Sequence, residues 1–217
     1  MTIRALVFDA FGTLAEIQDQ RRPFARLARV SRDRRQRELL MTRAISLKEA
    51  GRALGGDRID MAALDADLTA ELASIRLFPD VVGTLEEARA RGLKVGIASN
   101  LAAPYAEPLL RLLPFKPDVC AWSFEVGYLK PDPRIFAWLC ERLDVAACEA
   151  LMVGDTFRDD YAGALASGLH ALQLDRRGHV GCQKPAVTIR TLHDVLPALR
   201  HLSESVSGGQ TGSVGLS

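Results

Sequence analysis

Continuous apolar runs alternate with amphipathic stretches along most of the chain. IRALVF (3–8), LKVGIAS (93–99), DVCAWS (118–123), ALMVG (150–154) and LHALQL (169–174) read as strands buried on both faces, as in a parallel sheet. Between them, DVVGTLEEARARG (80–92), AEPLLRLL (106–113), DPRIFAWLCERL (132–143) and RDDYAGALASG (158–168) carry apolar residues at helical spacing. Gly92 and Gly168 stand where two of these helices should stop. The alternation predicts an α/β fold with a Rossmann-like, doubly wound parallel sheet.

One stretch breaks the rhythm. Residues 16–76 contain no strand-like run, and apolar residues recur at helical spacing, as in LLMTRAISLKEAGRAL. This predicts a small all-helical insertion of about three helices, interrupted at ALGGDRID (53–60). The expected organisation is a core of residues 1–15 and 77–202, a helical cap at 16–76, and a Gly/Ser-rich tail at 203–217 without fixed structure.

Composition adds mainly exclusions. The net charge of +1 gives no global reason to expect nucleic acid or a membrane surface as a partner. No apolar run is long enough to span a bilayer, and MTIRALVFDA lacks the apolar region and cleavage site of a signal peptide, so a cytoplasmic protein is expected. Cys120, Cys140, Cys148 and Cys182 show no CxxC spacing and read as thiols in a reducing compartment. The four histidines form no zinc-binding pattern. Nine arginines between 21 and 43 read either as an electropositive lid that attracts an anion or as a solvated helical face.

In an open α/β sheet, ligands bind beyond the carboxyl ends of the strands. Asp9, Gly12 and Thr13 follow the first strand, Ser99 and Asn100 the second core strand, and Asp155, Asp159 and Asp160 follow ALMVG; Lys130 precedes the 132 helix. Asp9 on a rigid strand end is suited to nucleophilic attack. Thr13 is placed to orient its carboxylate, Ser99 to bind a transferring anionic group, and Lys130 to neutralise charge. Asp155 with Asp9 offers hard oxygen ligands for Mg²⁺. Asn100 reads equally well as a site residue or a helix cap.

These motifs, in this order over residues 3–174, resemble the haloacid dehalogenase-like hydrolase superfamily: VFDAFGTL, GIASN, GYLKPDPRIF and LMVGDTFRDD. The resemblance implies an Asp9 nucleophile, a covalent intermediate and a cap after the first motif. It also implies a metal held by Asp9, the Phe11 backbone carbonyl, Asp155 and a further acid, either Asp160 by spacing or Asp159.

Phe11 departs from the phosphatase pattern, which carries there an Asp that protonates the leaving group. Such acid–base catalysis is worth about 10²–10⁴ in rate. DAFGTL is closer to the 2-haloacid dehalogenase branch, whereas Asp155 is closer to the phosphatases. Three readings follow: a Mg²⁺-dependent phosphatase of a small phosphorylated metabolite, which is favoured; a metal-independent 2-haloacid dehalogenase; and a low-turnover protein that binds a phosphorylated ligand. A Schiff-base branch would need Lys48, the only lysine in the cap. Substrate identity, oligomeric state and the arginines that face the site are not legible.

Overall fold

The computed structural model describes residues 2–55, 59–178 and 187–199. The expected tail at 203–217, the core boundary at 202, Cys182, His179 and His201 lie outside the described residues.

The chain opens with β1 (Ala5–Phe8) and β2 (Ala15–Ile17), then forms α1 (Pro23–Ala28), α2 (Arg34–Thr42), α3 (Leu47–Ala53) and α4 (Met61–Ala73). β3 (Ile75–Leu77) leads to α5 (Val81–Ala90), β4 (Lys94–Ser99), α6 (Ala106–Leu110), β5 (Val119–Trp122), α7 (Ser123–Val126), α8 (Pro133–Leu143) and β6 (Ala150–Gly154). A π-helical turn (Phe157–Ala162) then runs into α9 (Gly163–Ala166), β7 (His170–Leu174) and β8 (Thr188–Ile189).

Six parallel strands form the main sheet in the order β5-β4-β1-β6-β7-β8. β1 is central and fully buried, as its uninterrupted apolar run requires. Alternate residues serve opposite faces: Leu6 and Phe8 join the α5 side chains Val81 and Leu85, whereas Ala5 and Val7 join Ile135, Phe136 and Leu139 of α8. The chain crosses from β1 to β4 on one side, and β6 lies on the other. The carboxyl ends of β1, β4 and β6 therefore meet where the strand order reverses, the place where such sheets bind ligands.

The insertion is helical between its ends, with four helices among the described residues rather than about three. Its ends differ from the expectation. β2 and β3 pair antiparallel, with Glu16 opposite Arg76. Three-residue strands are too short to show an alternating pattern, so the sequence alone does not declare them. The sequence still dictates the helix starts: Ser46 and Glu49 form a capping box for α3, and the Asp60 side chain accepts from the Ala63 N–H at the start of α4.

Among the described residues, two side-chain hydrogen bonds join the insertion to the core. Ser123 Oγ donates to the Met41 carbonyl at 2.6 Å and accepts from the Leu101 N–H at 2.9 Å. Tyr105 Oη donates to Glu71 Oε2 at 2.5 Å, and the Arg22 N–H donates to Glu71 Oε1 at 2.6 Å.

Candidate active site

Asp9 sits directly beyond β1, fixed by its N–H donating to the Val153 carbonyl at 3.0 Å. The chain then turns at Gly12, whose φ is +92°. Here glycine is required twice over. A side chain at that φ is strained, and a Cβ would lie 2.3 Å from Asp155 Oδ2. Gly154, at the end of β6, is bare for the same steric reason: a Cβ there would meet the Asp160 carboxyl at 2.3 Å.

Lys130 is the hub. Its Nζ donates to Asp9 Oδ1 at 2.6 Å and to Asp160 Oδ1 at 2.5 Å, with all three side chains buried or nearly so. Burial pulls the ammonium down, but the two carboxylates outweigh it and hold Lys130 above its usual range. Burial and the Asp9 charge push Asp160 up, against the pull of Lys130 and of the Thr156 N–H, which donates to Asp160 Oδ2 at 2.9 Å. Asp155 is likewise raised, by desolvation and then by Asp9.

One carboxylate oxygen from each of Asp9, Asp155 and Asp160 lies within 4.8 Å of the others. Three acids thus face a single lysine, and the excess negative charge would be offset by a divalent cation. The donors are hard oxygens, the set that suits Mg²⁺. Asp160 also anchors Lys130, with one oxygen accepting from its Nζ and the other from the Thr156 N–H, while it stays within the three-acid group.

The remaining expected residues fall as follows. Ser99 is buried at the end of β4 and lines, with Asp9, Asn100, Lys130 and Asp159, a cavity of about 140 Å³. Asn100 is not a helix cap: its amide holds the backbone of Lys130 through Nδ2 to the carbonyl (2.9 Å) and the Lys130 N–H to Oδ1 (2.7 Å). Thr13 corrects an expectation. Its hydroxyl is buried without a hydrogen-bond partner and does not bond Asp9. Phe11 packs its ring edge-on against Tyr105, with centroids 6.0 Å apart.

Phe11 also borders two larger spaces. An apolar chamber of about 450 Å³ lies between insertion and core, walled by Phe11, Phe24, Leu40, Met41, Leu101 and Tyr105. An open groove on the Asp155 side reaches Phe78, Arg176 and Arg190. Of the nine arginines at 21–43, Arg22 and Arg37 line the chamber. Others are solvated or paired, as Arg21 is with Asp19 and Asp67, and Arg34 with Glu38.

With Asp9, Lys130 and Asp155 assembled at one sheet edge, comparison with known proteins decides the family. A haloacid dehalogenase-like hydrolase family model matches residues 3–168. The chain belongs to this family. It is similar to a ribulose-1,5-bisphosphate 5-phosphatase of Halopiger xanaduensis, 35% identical over 142 residues, covering 64% of this chain and 58% of the relative. Among solved structures it is similar to a HAD phosphatase from Thermococcus onnurineus (27% identity, TM-score 0.62, covering 91% of this chain and 98% of that one). It is also similar to a dehalogenase (25% identity, TM-score 0.64, covering 90% and 96%). The chain spans between half and three fifths of the length of the curated relatives it matches.

Family motifs did not reveal every residue that shapes the site in this haloacid dehalogenase-like hydrolase. Gln173 Nε2 donates to the Asp155 carbonyl at 2.6 Å. Arg176 grips Asp80 with two nitrogens, at 2.8 and 2.9 Å, and donates to the Thr13 carbonyl at 2.8 Å, bracing the turn after Asp9. Glu71 carried a readable signal. It continues the apolar face of α4 marked by Leu64 and Leu68, where a buried acid must have a partner. Tyr105 and Ser123 carried none.

Proposed function

We propose that the protein is a Mg²⁺-dependent phosphohydrolase acting on a small phosphorylated compound. The observation that carries this reading is Asp155 beside Asp9 in an acid-rich group whose charge Lys130 only partly offsets. Asp9, Asp155 and Asp160 would hold the ion, together with the Phe11 carbonyl that the family pattern implies. When bound, the ion supplies charge stabilisation for phosphoryl oxygens. Asp9 attacks phosphorus to give an aspartyl-phosphate, which water hydrolyses. Lys130 fixes and neutralises the Asp9 carboxylate, and Ser99 faces the cavity where the phosphoryl group would lie. The phosphatase relatives support this chemistry.

A second reading, a metal-independent 2-haloacid dehalogenase, draws on the aromatic Phe11 and the likeness to a solved dehalogenase. One experiment separates them: phosphate release from phenyl phosphate and halide release from 2-chloropropionate, each with Mg²⁺ and with chelator. The phosphatase reading expects Mg²⁺-dependent phosphate release that Asp9→Asn abolishes. Halide release indifferent to chelator, without phosphate release, overturns it.

A further inference from the structure

The small cavity at Asp9 and the apolar chamber share Phe11 and Asn100, so a phosphoryl group at Asp9 would extend its leaving group into the chamber. Two independent features of that chamber bear on what it accepts.

The first is chemical. Phe11 cannot donate a proton, so a departing oxygen lacks the acid that the phosphatase pattern places at this position. A phenol ionises near pK 10, as tyrosine does, and an alkyl alcohol nearer to water, at about 15.7. Only the former leaves well unassisted.

The second is the wall. Phe11 and Phe24 flank Tyr105, with centroids 6.0 and 5.9 Å away, and Leu40, Met41 and Leu101 complete an apolar lining. Several polar groups there already hold internal partners. Glu71 accepts from Tyr105 and from the Arg22 N–H, the Arg22 side chain donates to Gln20, and Asn100 holds Lys130. Among the described residues, Arg37 is the charged wall residue without a partner, and a guanidinium suits the face of an aromatic ring. A polar sugar or short hydroxy acid would lose its water in this chamber with few replacements.

We propose that the substrate is an aryl phosphate, a phosphate monoester of a phenolic hydroxyl, with its ring in the chamber bounded by Phe11, Phe24 and Tyr105. This deepens the phosphohydrolase reading and rests on it. An Asp9 oxygen bonds to phosphorus as the phosphorus–aryl oxygen bond breaks, and the phenolate leaves with that electron pair and takes its proton from water. Water then adds to phosphorus of the aspartyl-phosphate, and Asp9 leaves as carboxylate, releasing inorganic phosphate that carries both protons of that water.

Four substrates separate the two features: phenyl phosphate (weakly basic leaving group, aromatic), 2-phenylethyl phosphate (strongly basic, aromatic), acetyl phosphate (weakly basic, small) and 2-phosphoglycolate (strongly basic, polar). In wild-type protein with Mg²⁺, kcat should follow the leaving group, with phenyl phosphate at least about 10²-fold above 2-phenylethyl phosphate. KM should follow the ring, at least about tenfold lower for both aromatic esters than for acetyl phosphate. Phe11→Asp compared with its near-isostere Phe11→Asn should raise kcat for 2-phenylethyl phosphate about tenfold or more and leave the phenyl phosphate comparison near unity. The wild-type comparison does not depend on either variant folding. Equal or better turnover of 2-phosphoglycolate overturns the aryl assignment alone; no phosphate release from any of the four overturns the phosphohydrolase reading with it.

Discussion

Asn100 closes a two-point clamp on Lys130, giving its Oδ1 to the Lys130 N–H and its Nδ2 hydrogen to the Lys130 carbonyl. The lysine that meets both Asp9 and Asp160 is thus held from behind, by its own backbone, from the end of the neighbouring strand. Asn100→Ala removes both bonds. At roughly 0.5–1.5 kcal/mol each, the variant should lose about 1–3 kcal/mol of stability. Urea unfolding measures this, and kcat should fall further than that of a surface control because the ammonium loses its position.

Gly12 tests how tightly the turn and Asp155 are fitted. Gly12→Ala places a methyl in the space of the Asp155 carboxylate at an unfavourable φ. The backbone strain should cost about 1–3 kcal/mol. The Mg²⁺-induced rise in melting temperature expected of the wild type should be lost, which a thermal-shift titration with MgCl₂ reads without any substrate.

Asp80 should govern acid sensitivity. Burial pushes its carboxyl up, but the paired bonds from Arg176 and the Leu192 N–H outweigh this and hold it below the usual range. A depressed folded value contributes stability that is present above the unfolded value, about 3.9, and is lost as pH falls through the folded one. Asp80→Asn should reduce stability at neutral pH by about 2–3 kcal/mol and flatten this part of the acid limb. Urea melts at pH steps between neutrality and about 2 would show both effects.

Tyr105→Phe removes the hydroxyl from Glu71 and leaves a buried carboxylate with the Arg22 N–H as its remaining partner. Loss of about 1–3 kcal/mol is expected, again by urea unfolding. Tyr105→Phe with Glu71→Gln should cost less than the sum of the two single variants, because the residues act as one pair.

The core sheet was legible because five of its strands are long and apolar enough to declare themselves, and β1, buried on both faces, most of all. The two-residue β8 and the three-residue ribbon strands carry no measurable period. Strand ends located Asp9, Ser99 and Asp155, and the start of the 132 helix located Lys130; the topology carries all four to one edge. Side-chain direction was a different matter. Thr13 lies close to Asp9 in sequence, yet beyond the Gly12 turn its hydroxyl meets no partner. The Asn100 clamp joins residues 30 apart, a pairing no local pattern encodes.

Phe11 borders the Asp9 cavity, the apolar chamber and the outer groove at once. A substitution there alters the proton inventory beside Asp9 and the wall of all three spaces together, so chemistry and fit are tied to one codon. A lineage drifting between leaving groups would change its selectivity in the same step, and an engineer wishing to alter one without the other must begin with a residue behind Phe11, such as Tyr105.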